Sequence, residues 1–196
     1  MINIALIGSG ELGSRHLQSL AELNNASITV VESSPISVEI TQQRILELNL
    51  IELADISYVT DIKQLPSEID FAIIATGAAP RLSILRSLLK HASVKYLLLE
   101  KVLFQSIEDY WKAKELIDSN NIKVWVNCPR RMFEFYGSIK LKLNKTSAMV
   151  MTVNGGNWGL ACNAIHFIDI LSFLTDSKVI TVSTAGLEQK THPSKR

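Results

Sequence analysis

The chain has 196 residues, of which 47% are hydrophobic and 20% charged, and its formal net charge is +1. The length suits one domain or one and a fraction with a sizeable core, and the balanced charge gives no electrostatic argument for nucleic acid or an anionic membrane as partners. Cys128 and Cys162 are the only cysteines, so no zinc spacing exists and a reduced, cytoplasmic setting is the simplest interpretation. The apolar start is too short for a signal peptide, and no window approaches the ~18 uninterrupted apolar residues of a membrane span.

The first predicted elements form a strand, a glycine turn and a helix. An apolar run over 2–7 is followed by Gly8-Ser9-Gly10-Glu11-Leu12-Gly13 and a helix predicted to end at Leu23. In this context G-x-G-x-x-G is a dinucleotide fingerprint. The first glycine permits the tight turn, the second lets a pyrophosphate approach, and the third lets the helix pack closely on the strand. The amides at the helix N-terminus would face the phosphates. An ordinary strand–turn–helix is the alternative interpretation.

The second predicted strand, 27–31, ends in an acidic residue. Glu32 lies nineteen positions after Gly13, where a carboxylate accepts hydrogen bonds from the adenine-side ribose hydroxyls. It would repel a 2′-phosphate, and Ser33 and Ser34 supply no arginine to bind one. The sequence therefore predicts NAD rather than NADP as the cofactor. A solvated glutamate at the end of a strand is the alternative.

Strands and helices alternate through the rest of the first two-thirds of the chain. Helices are predicted at about 36–49, at 81–91 with Pro80 in the first turn, and at 107–119; strands are predicted at 56–59, 70–75, 96–99 and 123–126. This alternation predicts an α/β fold, a doubly wound parallel sheet of the Rossmann type. The glycine turn, Glu32, Thr76-Gly77, Glu100-Lys101 and Asn127 all follow strands, so their loops should meet at one edge, where such sheets bind ligands.

The composition changes after Pro129. A helix is predicted over 132–143, strands over 148–153 and 178–184, a turn at Gly155-Gly156, an amphipathic helix over 163–174 and a loose polar tail over 188–196. We therefore divide the chain into a dinucleotide-binding domain, 1–127, and a partial C-terminal α+β domain, 128–196, which is small for an independent fold. Two strands with an exposed apolar face favour assembly, so a homo-oligomer formed through this part is expected.

Several of these motifs together resemble the Gfo/Idh/MocA family of NAD(P)-dependent oxidoreductases, which act mainly on sugars, polyols and related metabolites. The matching pieces, in the family's order, are Gly8 to Gly13 with Arg15-His16, Glu32, Ala75-Thr76-Gly77, Glu100-Lys101, Asn127 with Arg130, and Gly155-Gly156 leading to His166-Phe167-Ile168-Asp169. The Glu-Lys pair together with the later His-x-x-Asp helix is the most specific part. The resemblance implies an N-terminal Rossmann domain, a second domain on a mostly antiparallel sheet, and a C-terminally truncated chain.

The resemblance also implies roles for particular residues. Lys101 would be the catalytic lysine that stabilises negative charge on the reacting hydroxyl, and His166 would relay its proton. Asn163, Arg130 and Asp169 would contact a small sugar-like substrate. The cofactor would contact Gly8, Ser9, Gly10, Glu11, Leu12, Gly13, Glu32, Ala75, Thr76, Gly77, Glu100, Lys101 and Asn127. The alternatives are a surface lysine at 101, a core histidine at 166, and an Asp169 that orients His166 or anchors its helix; His16 is interpreted as a packing or polar contact.

Three departures from the family pattern leave a second function open. Val102 follows the Glu-Lys pair where the family usually has proline, Cys162 stands where an aspartate is common, and the chain is short. The first expected function is NAD-dependent hydride transfer at a hydroxyl carbon of a sugar-like substrate. The alternative is a dinucleotide-binding module without turnover, acting as a sensor or as a subunit completed by a partner.

Overall fold

A computed structural model describes residues 1–48, 54–143, 148–156, 158–188 and 190. The chain divides into two compact units, Met1–Asn127 and Cys128–Arg196. The first unit holds a six-stranded parallel sheet whose strands are β1 (Ile2–Ile7), β2 (Ala26–Val31), β3 (Asp55–Val59), β4 (Glu68–Ile74), β5 (Ser93–Leu99) and β6 (Lys123–Val126). Its helices are α1 (Glu11–Leu20), α2 (Pro35–Leu46), α3 (Ala78–His91) and α4 (Ile107–Ser119).

The strand order is β3-β2-β1-β4-β5-β6, which confirms the predicted Rossmann-type sheet. The order reverses between β1 and β4, which pair in parallel from Ile4↔Phe71 to Ile7↔Ile74. Because all six strands are parallel, their carboxyl ends share one edge. The loop between β1 and α1 and the loop between β4 and α3 therefore flank the switch point, which is where open α/β sheets form a binding crevice.

Apolar residues on both faces of the central strands explain why these segments form a buried parallel sheet. One core cluster includes Ala5 and Ile7 of β1 with Leu85 and Leu88 of α3. The cluster on the opposite face includes Ile4 and Leu6 of β1 with Leu17 of α1. Burial on two faces fixes the register of β1, since a shift of one residue would exchange the two cores.

The helices begin in two different ways. Ser34 and Ser106 cap α2 and α4 by accepting hydrogen bonds from the amides of Ser37 and Asp109. By contrast α1 and α3, which start at the switch point, follow Gly10 and Gly77 and have no side-chain cap. The first amides of these two helices are therefore left to solvent or to a ligand.

The second unit contains helices α5 (Glu134–Lys142) and α6 (Leu160–Thr175), preceded by a 3₁₀ turn over Pro129–Met132. The predicted strands over 148–153 and 178–184 are wrong, because the structure assigns no strand to either segment. Their apolar, β-branched residues favour extended backbone, but a strand is stable only when a neighbour pairs with it. No helix within the described ranges has both the length and the hydropathy of a membrane span.

The predicted end of α1 was too late. α1 ends at Leu20 rather than Leu23, and turns at Ala21 and Asn24 lead directly into β2. α2 ends at Leu46, whereas the predicted end at Asn49 lies outside the described residues. Most of the predicted loose tail, at 189 and 191–196, is also outside them.

Candidate functional site

The glycine turn after β1 depends on two glycines that no other residue can replace without rearrangement. Gly8 has φ +89°, a left-handed conformation that side chains disfavour. A Cβ added at Gly13 would lie 2.0 Å from the carbonyl oxygen of Gly8. The start of α1 therefore packs directly on the turn, at a distance that only glycine allows.

Gly10 and Ser9 shape the surface of the same turn. A Cβ added at Gly10 would meet nothing within 4 Å, so the backbone at the start of α1 is open to a ligand. The Ser9 side chain is buried, and the Ser9 carbonyl accepts a hydrogen bond of 2.8 Å from the hydroxyl of Thr41, which is also buried. The turn is thus held rigidly from α2 while its outer backbone stays accessible.

The carboxylate of Glu32 closes the turn from the end of β2. One oxygen, Oε2, accepts from the Ser9 amide at 2.8 Å and from the Ser9 hydroxyl at 3.3 Å. The other, Oε1, accepts from the Ser34 amide at 2.9 Å. Glu32 therefore links the glycine turn to the start of α2, a contribution that the sequence pattern did not reveal.

A cavity of about 740 Å³ lies beside this turn, and Glu32 is part of its wall. The wall also includes Gly8, Val31, Thr60, Asp61, Lys63, Thr76, Ile84, Lys90 and His91. The Thr76 hydroxyl oxygen is buried and has no hydrogen-bond partner in the described part of the chain. A smaller cavity of about 340 Å³ shares Glu32 and Ser33 and adds Glu39, so two carboxylates border that neighbouring space.

Glu100, directly after β5, is 2% exposed. Its Oε1 lies 2.7 Å from His16 Nε2 and accepts a 2.6 Å hydrogen bond from Asn127 Nδ2. Burial alone would raise the pKa of Glu100, but hydrogen bonds from His16, Asn127 and the Lys101 amide outweigh it and hold the pKa below its ordinary value. An ionised carboxylate only accepts hydrogen bonds, so the His16 nitrogen that faces it carries a proton.

Lys101 follows this anchored glutamate and is half-buried. The Lys101–Val102 peptide bond is cis, so the valine at the position of the family's proline sits in a cis linkage.

His16 is a polar contact, as one of the two sequence interpretations held, because its Nε2 lies 2.7 Å from Glu100 Oε1. Asn127, which the sequence predicted at the cofactor, holds Glu100 through its side-chain amide.

The structure shows a buried cation that the sequence analysis missed. Arg81 of α3 is 1% exposed, and its Nη1 donates to the carbonyls of Val102 and Leu103 at 2.5 and 2.6 Å. Its Nη2 donates to the Thr76 carbonyl. A signal was present, because Arg81 occupies the buried stripe of α3 at helical spacing from Leu85 and Leu88.

The second unit contains the three predicted substrate residues, Arg130, Asn163 and Asp169, and the predicted proton relay His166. Arg131 forms a two-point ion pair with Asp169, which ties α6 to the 3₁₀ turn and supports the helix-anchor interpretation of Asp169. Arg130 stacks over the Phe167 ring at 4.4 Å. The Asn163 side chain donates to the Trp158 carbonyl at 2.5 Å. Substrate contacts by these residues remain predictions.

The first unit brings most of the predicted cofactor residues to the same edge of the sheet. Its features fit a dinucleotide: an open backbone at Gly10, a helix start without a side-chain cap, and a buried Thr76 hydroxyl that lacks a partner among the described residues. A phosphate accepts hydrogen bonds from helix-terminal amides and is favoured by the helix dipole.

Solved structures share this fold at low sequence identity. Myo-inositol 2-dehydrogenase from Lactobacillus plantarum aligns with a TM-score of 0.66 at 16% identity, covering 89% of this chain and 56% of that one. The transcriptional regulator Gal80p from Kluyveromyces lactis aligns with a TM-score of 0.67 at 16% identity, covering 90% and 51%. A super-repressor mutant of Gal80p from Saccharomyces cerevisiae gives 0.67 at 17%, covering 90% and 53%. The chain therefore spans about half the length of these proteins.

Sequence comparison points to the same group of proteins. No curated protein sequence matches the chain significantly. The family profile described as "Oxidoreductase family, NAD-binding Rossmann fold" (GFO_IDH_MocA) matches residues 2–128, which is the first unit and the residue after it. This match covers more than half of the chain and includes the glycine turn, Glu32 and Glu100-Lys101. The chain therefore belongs to the Gfo/Idh/MocA family of NAD-binding oxidoreductases.

Proposed function

We propose that this protein is an NAD-dependent oxidoreductase that moves a hydride to or from a hydroxyl-bearing carbon of a sugar-like substrate in the cytoplasm. The observation that carries the proposal is the anchoring of Glu100. His16 and Asn127 fix this buried carboxylate. Lys101 is the next residue along the chain, in the loop after β5. The loop of Thr76 follows β4, which is the strand beside β5 in the sheet. A lysine on such a rigid support suits a catalytic cation better than a mobile surface lysine does.

The first unit supplies the binding groups. The amides at the start of α1 would hold the diphosphate, because the open backbone at Gly10 permits close approach. Glu32 would accept hydrogen bonds from the ribose hydroxyls while keeping its contact with Ser9. The Thr76 hydroxyl would find a partner on the bound molecule. When bound, NAD supplies the hydride chemistry.

Lys101 and His166 would act on the substrate. The ammonium of Lys101 would stabilise negative charge on the reacting oxygen and lower the pKa of the hydroxyl, an effect that is strong where water is excluded. His166 would receive or return the hydroxyl proton. The neutral amide of Asn163 cannot act as a base, so proton transfer would depend on these two groups.

Cofactor preference tests the binding half of the proposal. We expect NADH to raise the melting temperature more than NADPH, because Glu32 and Glu39 disfavour a 2′-phosphate next to the ribose. The variant Glu32→Gln should reduce this difference, whereas Glu22→Gln, at an exposed position after α1, should preserve it. Equal stabilisation of the wild type by both nucleotides would contradict the assignment of Glu32.

Turnover tests the catalytic half. Polyols and sugars are screened with NAD⁺ by the absorbance of reduced nicotinamide, and Lys101→Ala is compared on the best substrate. Removing a charge that acts in the transition state should lower kcat by about 10²–10³-fold. The matched control is Lys112→Ala, at an exposed position on α4, which should retain full activity. Unchanged kcat in Lys101→Ala would eliminate this role.

A second candidate function is supported by Cys162, which stands where the family commonly has an aspartate. In that case the chain would bind NAD(H) and act as a sensor or as a subunit, without turnover. Nucleotide binding without activity on any substrate of the panel, in wild type and Lys101→Ala alike, would favour this candidate.

A further inference from the structure

Arg81 is a buried ion that the proposed chemistry does not use. It is 1% exposed, and its guanidinium donates to three backbone carbonyls rather than to a surface partner. Its Nε has no acceptor among the described residues. Burial lowers the pKa of Arg81, and the nearby carboxylate of Glu100 opposes that change. An apolar side chain of similar length would fill the same space without desolvating a charge.

The three carbonyls belong to two different loops. Thr76 follows β4 and forms part of the cavity wall, whereas Val102 and Leu103 follow β5 and come directly after Lys101. A guanidinium presents several donors in a fixed plane, so one side chain can bridge groups that a lysine ammonium would contact singly. Arg81 thus joins the loop at the cofactor cavity to the loop of the proposed catalytic lysine.

Lys101 is consequently restrained from both sides. On its N-terminal side, Glu100 is held by His16 and Asn127. On its C-terminal side, the Val102 carbonyl is held by Arg81. With both neighbours held, the backbone of Lys101 is restrained, which fixes the point from which its side chain extends.

We propose that Arg81 is a positioning residue that couples the Thr76 loop to the Lys101 loop, so that ligand binding at the cavity places Lys101 for reaction. The inference rests on the proposed function, because it assigns a purpose to the position of Lys101. It makes Arg81 responsible for alignment and not for contact with substrate or cofactor.

The first test measures the wild type, so it does not depend on the folding of a variant. ADP-ribose contains the adenosine and diphosphate parts of NAD but lacks nicotinamide. Hydrogen–deuterium exchange is followed in segments 76–81 and 100–104 with and without this probe. If Arg81 couples the loops, exchange should slow in both segments by about tenfold, because a stronger Arg81 bridge between their carbonyls makes local opening of both loops rarer. Slowing in 76–81 alone would overturn the coupling.

The second test uses the chemical reactivity of Lys101. A succinimidyl ester acylates lysine amines, and the Lys101 and Lys112 peptides are quantified by mass spectrometry with and without NADH. Wild type should show protection of Lys101 and no change at Lys112. Arg81→Lys keeps the positive charge but loses the planar set of guanidinium donors that bridges the two loops. NADH affinity should therefore stay within about threefold of wild type, while acylation of Lys101 in the bound state should rise about tenfold.

The controls separate this inference from the function it rests on. Arg86→Lys, at an exposed position on the same helix, should behave as wild type. If wild type binds NADH and protects Lys101, and Arg81→Lys protects it equally, the positioning role is wrong while the proposed function stands. If wild type binds neither NADH nor ADP-ribose, the proposed function fails, and the inference fails with it.

Discussion

Gly13→Ala and Gly10→Ala distinguish two roles of the glycine turn. One is the close packing of α1 on the turn, and the other is the access of a ligand to the turn's backbone. At Gly13 an added Cβ would lie 2.0 Å from the Gly8 carbonyl oxygen and 2.8 Å from its carbon. Cβ atoms are almost never found closer than 3.0 Å to another heavy atom. Increasing the separation of the added Cβ and the Gly8 oxygen from 2.0 Å to 3.0 Å requires a movement of about 1 Å. The atoms that must move belong to backbone, so α1 would have to shift away from β1.

The expected loss of stability follows from two opposing terms. Overpacking of a rigid site costs up to about 3 kcal/mol, and alanine gains about 1 kcal/mol over glycine inside a helix. Gly13→Ala should therefore lower the free energy of unfolding by about 2 kcal/mol. Urea denaturation followed by circular dichroism measures this change, and stability equal to that of wild type would refute the packing argument.

Gly10→Ala is the matched comparison, because an added Cβ there meets no protein atom within 4 Å. Its free energy of unfolding should stay within about 0.5 kcal/mol of wild type. NADH affinity should nevertheless fall at least about tenfold, since the methyl group would occupy the path of the diphosphate. Full NADH affinity in Gly10→Ala would show that the ligand does not approach this backbone.

Three further predictions concern single contacts. The lowered pKa of Glu100 means that its carboxylate stabilises the fold above the ordinary glutamate pKa and that this contribution is lost as pH falls through the folded pKa. Glu100→Gln should therefore flatten the acid side of a plot of unfolding free energy against pH; an unchanged acid side would contradict the anchor. Ser106→Ala removes the cap that accepts from the Asp109 amide and should cost about 1 kcal/mol in urea denaturation, with no loss showing that the cap is dispensable. Asp169→Asn breaks the pair with Arg131, whose side chain is 42% exposed, and should cost less than about 1 kcal/mol; a loss of several kcal/mol would indicate a deeper role.

The strands of the first unit could be predicted because their signals are local. Apolar runs bounded by turn residues mark β1 and β4, and the spacing from Gly13 to Glu32 marks the second strand and its acidic end. The strands predicted at 148–153 and 178–184 failed for the opposite reason. Pairing is a non-local property, and alternation within a segment does not supply a neighbouring strand.

The site residues likewise fall into those that local sequence patterns predicted and those that only the folded chain brought together. The residues of the glycine turn were found from their spacing. Gly8 and Gly13 each meet a steric requirement of the turn itself, and Gly10 leaves the backbone open to a ligand. Asn127 and Glu100 were placed correctly at the edge of the sheet, but the hydrogen bond between them was not predicted. Arg81 was missed entirely, since an arginine within a leucine-rich helix usually extends to solvent and only its spacing placed it on the buried stripe.

By itself the sequence determined the parallel α/β order, the dinucleotide turn and the family. The strand and turn signals lie within about thirty residues, and the family was recognised from the order of its short motifs along the chain. Only the tertiary structure decided that His16 contacts Glu100, 84 residues away in the sequence, and that Arg81 donates hydrogen bonds to carbonyls 21 and 22 residues away. Such contacts form where strands distant in the chain end at one edge of the sheet. Their environment, and with it the charge state and rigidity of the site, arises only when those ends come together.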